Sequence, residues 1–210
     1  MKKFVFLALA AAGLTLAAQD NSFTLRYATM KVDGEAKYGT STTYSTDDYK
    51  GMGLRYGRTL TKIWDARLDL EGSWQLRTSG SNLKLNGVVY APAGSTYTMS
   101  TESFGLGASL TWTKVVDFGG SFELRHESTE LRIESNTMGT FSVGRGLVRP
   151  WATFRVGYAF PLDKVKPFVG LEYGVVLAQK EGGDLGLGGF DLGRKLQPKS
   201  ELAFTAGLRF

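Results

Sequence analysis

KSELAFTAGLRF, residues 199–210, alternates by parity. Leu202, Phe204, Ala206, Leu208 and Phe210 fall on one side, and Glu201, Ala203, Thr205, Gly207 and Arg209 on the other. A two-residue period gives a strand two unlike faces. The apolar face runs through to Phe210. In a soluble sheet such a strand is an edge that needs cover. In a membrane barrel it pairs with the first strand and turns its apolar face to lipid. The second solution needs partner strands upstream with the same alternation.

The chain supplies seven more. Near 22–32, Phe23, Leu25 and Tyr27 oppose Ser22, Thr24, Arg26 and Ala28. Near 49–61, Met52, Leu54 and Tyr56 oppose Gly51, Gly53, Arg55 and Gly57. The cleanest case is 66–77, where Leu68, Leu70, Trp74 and Leu76 alternate with Arg67, Asp69, Glu71, Gln75 and Arg77. Similar segments occupy about 99–114, from 117 onward, 147–160 and 166–178. In the segment starting at Asp117, alternation weakens toward Leu131 and Ile133, as a bulge would explain. Long polar stretches at 33–47, 78–98, 128–146 and 179–198 alternate with short turns at 62–64, near Val115 and at 161–165. Leu83, Leu85, Val88 and Tyr90 in the second long stretch suit an extension of the sheet. The expected fold is all-β: an eight-stranded antiparallel up-and-down transmembrane β-barrel with short periplasmic turns and long extracellular loops. Both barrel ends of the chain then lie on the periplasmic side.

Residues 1–18, MKKFVFLALAAAGLTLAA, carry Lys2 and Lys3, an apolar core and a small-residue end. This is the pattern of a secretory signal peptide, leaving 19–210 as the barrel domain. Loss of the two lysines leaves 23 basic against 20 acidic residues, too even for a nucleic-acid footprint. The chain has no cysteine and one histidine, which exclude a disulfide framework and clustered-histidine zinc sites. The glycine runs at 105–110 and 182–189 lack the helix pattern of a phosphate loop. No cofactor is expected.

The inward faces are charged. An inward network of Arg26, Arg55, Asp69, Glu71, Glu123, Arg125, Glu127, Arg155, Glu172 and Glu201 is expected, with Arg67, Arg77 and Arg209 on the same parity. Buried charge is tolerated when paired. A hairpin centred on Ile63 sets Arg55 opposite Glu71. One centred near Val115 sets Gly107 opposite Glu123 and Gly105 opposite Arg125, where the missing side chains leave room. A four-residue connection sets Arg155 opposite Glu172. An eight-stranded interior holds side chains or one small ligand, so a lumen filled by its own charges is expected. Aromatic belts at the two interfaces are expected from Tyr56, Trp112, Phe118, Tyr158, Phe160 and Phe210 at the turn end. Tyr49, Trp74, Phe104 and Trp151 fall at the other, although Trp151 has inward parity.

These marks resemble the small outer-membrane barrels of the OmpA transmembrane-domain, OmpX and OmpW type. The resemblance covers nearly all of residues 20–210 and implies the outer membrane of a diderm bacterium. The alternation of Phe204, Ala206, Leu208 and Phe210 looks like the signal read by the outer-membrane assembly machinery. It implies a monomer whose partners are outer-membrane lipids, that machinery and an extracellular surface or protein, with no nucleic acid. The expected function is non-enzymatic envelope stabilisation or surface adhesion. A narrow channel for small apolar solutes is one alternative. Another is a lipid A deacylase. Its relatives carry His-x-Ser followed by Asn, whereas this chain has His126-Glu127-Ser128 followed by Thr129, with Glu130 or Glu134 as a loose acidic partner. The departure argues against that chemistry.

Overall fold

The computed structural model describes residues 20–32, 36–38, 42–137, 139–162, 164–178 and 196–210. The signal segment 1–18 and the glycine-rich stretch 181–193 lie outside them. Twelve strands occur among the described residues: β1 (Asn21–Lys31), β2 (Ala36–Tyr38), β3 (Thr42–Thr46), β4 (Tyr49–Ile63), β5 (Ala66–Gln75), β6 (Ser81–Leu85), β7 (Val88–Val89), β8 (Thr96–Thr113), β9 (Asp117–Ser135), β10 (Gly139–Ala159), β11 (Lys166–Val176) and β12 (Ser200–Arg209). Eight of them, β8-β5-β4-β1-β12-β11-β10-β9, form an antiparallel ring that β8–β9 pairing closes. The last strand meets the first, with Leu25 opposite Ala206 and Tyr27 opposite Phe204. Phe210 and Asn21 exchange backbone hydrogen bonds of 2.7 and 3.0 Å at that seam.

Alternation decides which face is which. Phe23, Leu25 and Tyr27 stand outward at 40–49% exposure, while Thr24, Arg26 and Ala28 are buried. The same division runs through β5, β9 and β12, so the ring is apolar outside and polar inside. This is the reverse of a soluble core.

The remaining strands build a platform over the end away from the short turns. Within the stretches 33–47, 78–98 and 128–146, residues 36–38, 42–46, 81–85, 88–89, 96–98, 128–135 and 139–146 are strand. β2, β3, β6 and β7 form a sheet joined to the ring where Ser81 and Asn82 pair with Met99 and Thr98. Asn86 (φ 49°) and Gly87 (φ 82°) make the two-residue turn between β6 and β7, the left-handed pair that a tight hairpin prefers. Residues 128–135 and 139–146 are continuous with β9 and β10 and pair in unbroken register from Gly157–Asp117 to Gly139–Ser135. Leu131 consequently points inward without a bulge and is buried.

Three other expectations change. The first short turn lies at Trp64–Asp65, and the ladder shifts between Thr59 and Thr61. Together these place Arg55 opposite Ser73, and Gly57 opposite Glu71. Tyr49 and Trp151 belong to the interior rather than an outer belt, both being at most 1% exposed. Arg77 lies outside the lumen, half-exposed and bonded to Glu130 at 2.6 Å. The pairings of Gly107 with Glu123, Gly105 with Arg125 and Arg155 with Glu172 occur as expected.

Inward glycines make the room that long side chains need. A Cβ on Gly107 would stand 2.7 Å from the Glu123 Cα, a backbone atom that cannot yield. On outward Gly72, the nearest atom would be Leu106 Cδ2 at 3.7 Å. Gly107→Ala is predicted to cost about 1–3 kcal/mol through overpacking, and Gly72→Ala to change stability by under about 0.5 kcal/mol. Urea unfolding in lipid vesicles measures both. Equal costs would contradict the crowding argument.

Candidate functional site

Among the described residues, strand pleat brings seven arginines and seven carboxylates inside the ring. The arginines are Arg26, Arg55, Arg67, Arg125, Arg149, Arg155 and Arg209; the acids are Asp69, Glu71, Asp117, Glu123, Glu127, Glu172 and Glu201. The charges balance, and they fall into layers.

The central layer joins opposite walls. Arg26 on β1 donates to Glu172 on β11 at 2.9 Å and to Glu201 on β12 at 2.6 Å. Arg55 on β4 donates to both carboxylate oxygens of Glu172. Its Nε lies 3.6 Å from Glu71. Arg155 on β10 forks onto Glu71 on β5 with two bonds of 2.6 Å. Its cross-strand neighbour Glu172 is a weaker contact at 3.4 Å. Arg125 on β9 donates to Glu123 at 2.9 Å and to Glu201 at 2.7 Å. The hydroxyls of Ser73 and Ser109 donate to Glu123 and Glu71. Four arginines and four glutamates thus share each other as partners. Taking one such ion out of water costs several kcal/mol, recovered only with good geometry and filled lone pairs. Two-pronged guanidinium–carboxylate pairing supplies that geometry.

Glycines stand beside these side chains. Gly53 faces Arg26, Gly57 and Gly107 flank Glu71, and Gly174 faces Glu201. Toward the short turns, Arg67 and Thr59 hold Asp69 at 2.9 and 2.7 Å. Arg209 meets Asp117 at 2.6 Å and lies over the Phe168 ring. A cavity of about 60 Å³ lies in this half, bounded by Arg55, Arg67, Asp69, Glu71 and Arg155 among others. It has room for a few waters.

On the other side of the central layer, the chemistry changes. Arg149 donates to Glu127 and, at 2.7 Å, to the Pro198 carbonyl. Trp151 lies beneath the guanidinium of Arg125, 4.5 Å from its ring centre, with that of Arg149 at 5.8 Å. Above this stands an apolar cluster that includes Met30, Tyr49, Leu83, Met99, Leu131 and Leu196, all at most 5% exposed. The Tyr49 hydroxyl donates to the Leu196 carbonyl at 2.9 Å. Residues 196–198, placed by sequence in an external loop, therefore fill the interior.

The expected inward residues divide accordingly. Arg26, Arg55, Glu71, Glu123, Arg125, Arg155, Glu172 and Glu201 meet in the central layer. Asp69 lies nearer the short turns and Glu127 on the opposite side. Arg149 and Asp117 went unnoticed in the sequence. Arg149 shares parity with Arg155, but Pro150–Trp151 masks the alternation. On β12, Phe204 and Leu208 face outward at 64% and 44% exposure, and Ala206 shares that face.

His126 is exposed on the outer face of β9. Among the described residues, no hydrogen bond joins it to Ser128. The two acidic candidates are engaged elsewhere, Glu130 by Arg77 and Glu134 by Arg132 at 2.8 Å. Among the described residues, no cluster of three or more His, Cys, Asp or Glu side chains is placed to hold a metal.

Glu201→Gln removes the charge shared by Arg26 and Arg125. It is predicted to cost about 3–5 kcal/mol in equilibrium unfolding, the price of an uncompensated buried ion. Glu130→Gln, which leaves half-exposed Arg77, is predicted to cost under about 1 kcal/mol. Similar values for the two would contradict the distinction.

No family model matches the sequence, and no curated protein matches it. Solved structures do share the fold. The outer membrane protein OprG from Pseudomonas aeruginosa is 11% identical, with a TM-score of 0.53 over 91% of this chain and 92% of that one. A major outer membrane protein from Thermus thermophilus is 12% identical, with a TM-score of 0.52 over 90% and 98%. At this identity the likeness is one of fold: a β-sheet-rich ring resembling small outer-membrane barrels.

Proposed function

We propose that this chain is a non-enzymatic eight-stranded transmembrane barrel of a diderm outer membrane. Its interior is sealed, and its platform serves envelope stabilisation and surface attachment. The observation that carries this reading is the filling of the ring: a balanced charge lattice below, an apolar cluster above, and an apolar exterior. An apolar exterior with no unpaired strand edge around the ring suits hydrocarbon. Among the described residues, shared carboxylates and guanidiniums cross the central layer from wall to wall. That favours a sealed barrel over a narrow channel for apolar solutes.

In this reading residues 1–18 direct export, and the short turns and both barrel ends face the periplasm. Phe204, Ala206, Leu208 and Phe210 present the assembly signal, and the barrel works as a monomer. The platform supplies the partner surface. Val88 and Val89, 71% and 49% exposed, form its β7 edge, and strand edges can accept another strand. Loops and short strands on a rigid scaffold can change partner without changing the fold.

Planar-bilayer recording is expected to show no stable open state for the intact chain. A reproducible conductance that disappears on changing Arg26, Arg125 or Glu201 would favour the channel instead. In cells, replacing exposed Val88 and Val89 with lysine is expected to abolish attachment to host or abiotic surfaces while heat-modifiable migration and exclusion of an apolar dye persist. Unchanged attachment with lost uptake of an apolar solute would reject this function.

A further inference from the structure

The three short turns repeat one chemistry. Lys62 precedes Trp64, Lys114 precedes Val115, and Lys164 and Lys166 flank Val165 just after Leu162. Trp64 is 91% exposed, Val115 84% and Leu162 55%. Trp64 also adopts φ 46°, a left-handed conformation that a bulky side chain rarely takes. Asp65 shares that conformation at φ 65°, as the two-residue turn between paired Ile63 and Ala66 requires, and the turn leaves the indole packed on little of the protein. The turns join β4 to β5, β8 to β9 and β10 to β11, so their tips are distributed around one mouth.

Behind the tips is a concavity of about 600 Å³, bounded by the four lysines, Arg67 and Arg209 among others. Arg67 and Arg209 are matched by Asp69 and Asp117. The four lysines are exposed, and among the described residues none is held in an ion pair. The other described carboxylates lining the mouth are Asp20 and Asp65. Among the described residues the rim is therefore net positive, with apolar residues beside the lysines in each turn, and Asp163 of the third turn lies outside them.

We infer that this rim binds the headgroups of anionic phospholipids in the leaflet at the short-turn end. The inference rests on the membrane reading above. Lysine ammonium groups meet the phosphate, while Trp64, Val115 and Leu162 enter the adjoining glycerol and acyl boundary. A long cationic side chain beside an apolar anchor suits such an interface. A soluble anion would use the lysines and leave the apolar tips in water.

The test uses the full mature chain in nanodiscs of equal phosphatidylcholine and phosphatidylglycerol. Lipid retained on the barrel after mild extraction is counted by native mass spectrometry. Heat-modifiable migration, scored separately, reports whether the barrel forms and so tests the underlying reading. Retained lipid is expected to be enriched in phosphatidylglycerol about tenfold, taking roughly fivefold per lysine as the upper scale. The enrichment is expected to fall to the bulk ratio in K62Q/K114Q/K164Q/K166Q. In the unmodified chain it is expected to fall as salt rises. A bulk ratio in the unmodified chain, or salt-insensitive enrichment, would overturn the inference. So would a folded quadruple variant with undiminished enrichment. Equal capture of soluble glycerol phosphate would overturn the assignment to a lipid.

Discussion

Carboxylates shared between guanidiniums hold this structure's interior together. Glu172 serves Arg26 and Arg55, Glu201 serves Arg26 and Arg125, and Glu71 serves Arg155 and approaches Arg55. No member can be removed without leaving another buried ion short of a partner. Such an arrangement is a constraint before it is a source of stability, because the desolvation cost nearly cancels the attraction. Its consequence is specificity of register: a slip of one residue on any ring strand would send the charged face to the outside.

The lattice also explains the rest of the interior. Long side chains reaching across a narrow ring require small neighbours, and Gly53, Gly57, Gly107 and Gly174 provide them. Arginine planes require flat or acidic partners, and Trp151 lies where both Arg125 and Arg149 can cover it. Beyond Arg149 the carboxylates give way to Met30, Met99, Leu131 and Leu196, sealed by tyrosine and a returning backbone. The ring thus has two fillings with different physics: an electrostatic layer and a small apolar core beneath the platform.

Much of this was legible in the sequence, for a physical reason. Parity survives whatever the loops do, so the outward Phe23, Leu25 and Tyr27 and the inward Arg26, Glu123 and Glu172 were placed by alternation alone. Register was less accessible. The Val115 hairpin predicted the Gly107–Glu123 pair, whereas the bulge near Leu60 and the turn at Trp64–Asp65 displaced Arg55 from Glu71. The platform left a signal that composition hid: Asn86–Gly87 between Leu85 and Val88 is a tight-turn dipeptide between apolar residues. Arg149 was obscured by Pro150. Contacts that join non-neighbouring strands, such as Arg55 to Glu172 across β1 and β12, have no local trace at all.

Filling by a cooperative lattice distinguishes this barrel from a lumen that merely happens to hold charged groups. A double-mutant cycle on Arg155 and Glu71, using Arg155→Met and Glu71→Leu with unfolding followed in lipid vesicles, separates these directly. Each single change strands a buried partner, while the double change removes both charges of a close pair. A cooperative lattice requires a coupling energy above about 1.5 kcal/mol, with the double variant losing much less than the sum of the singles. Additivity within about 0.5 kcal/mol would contradict it.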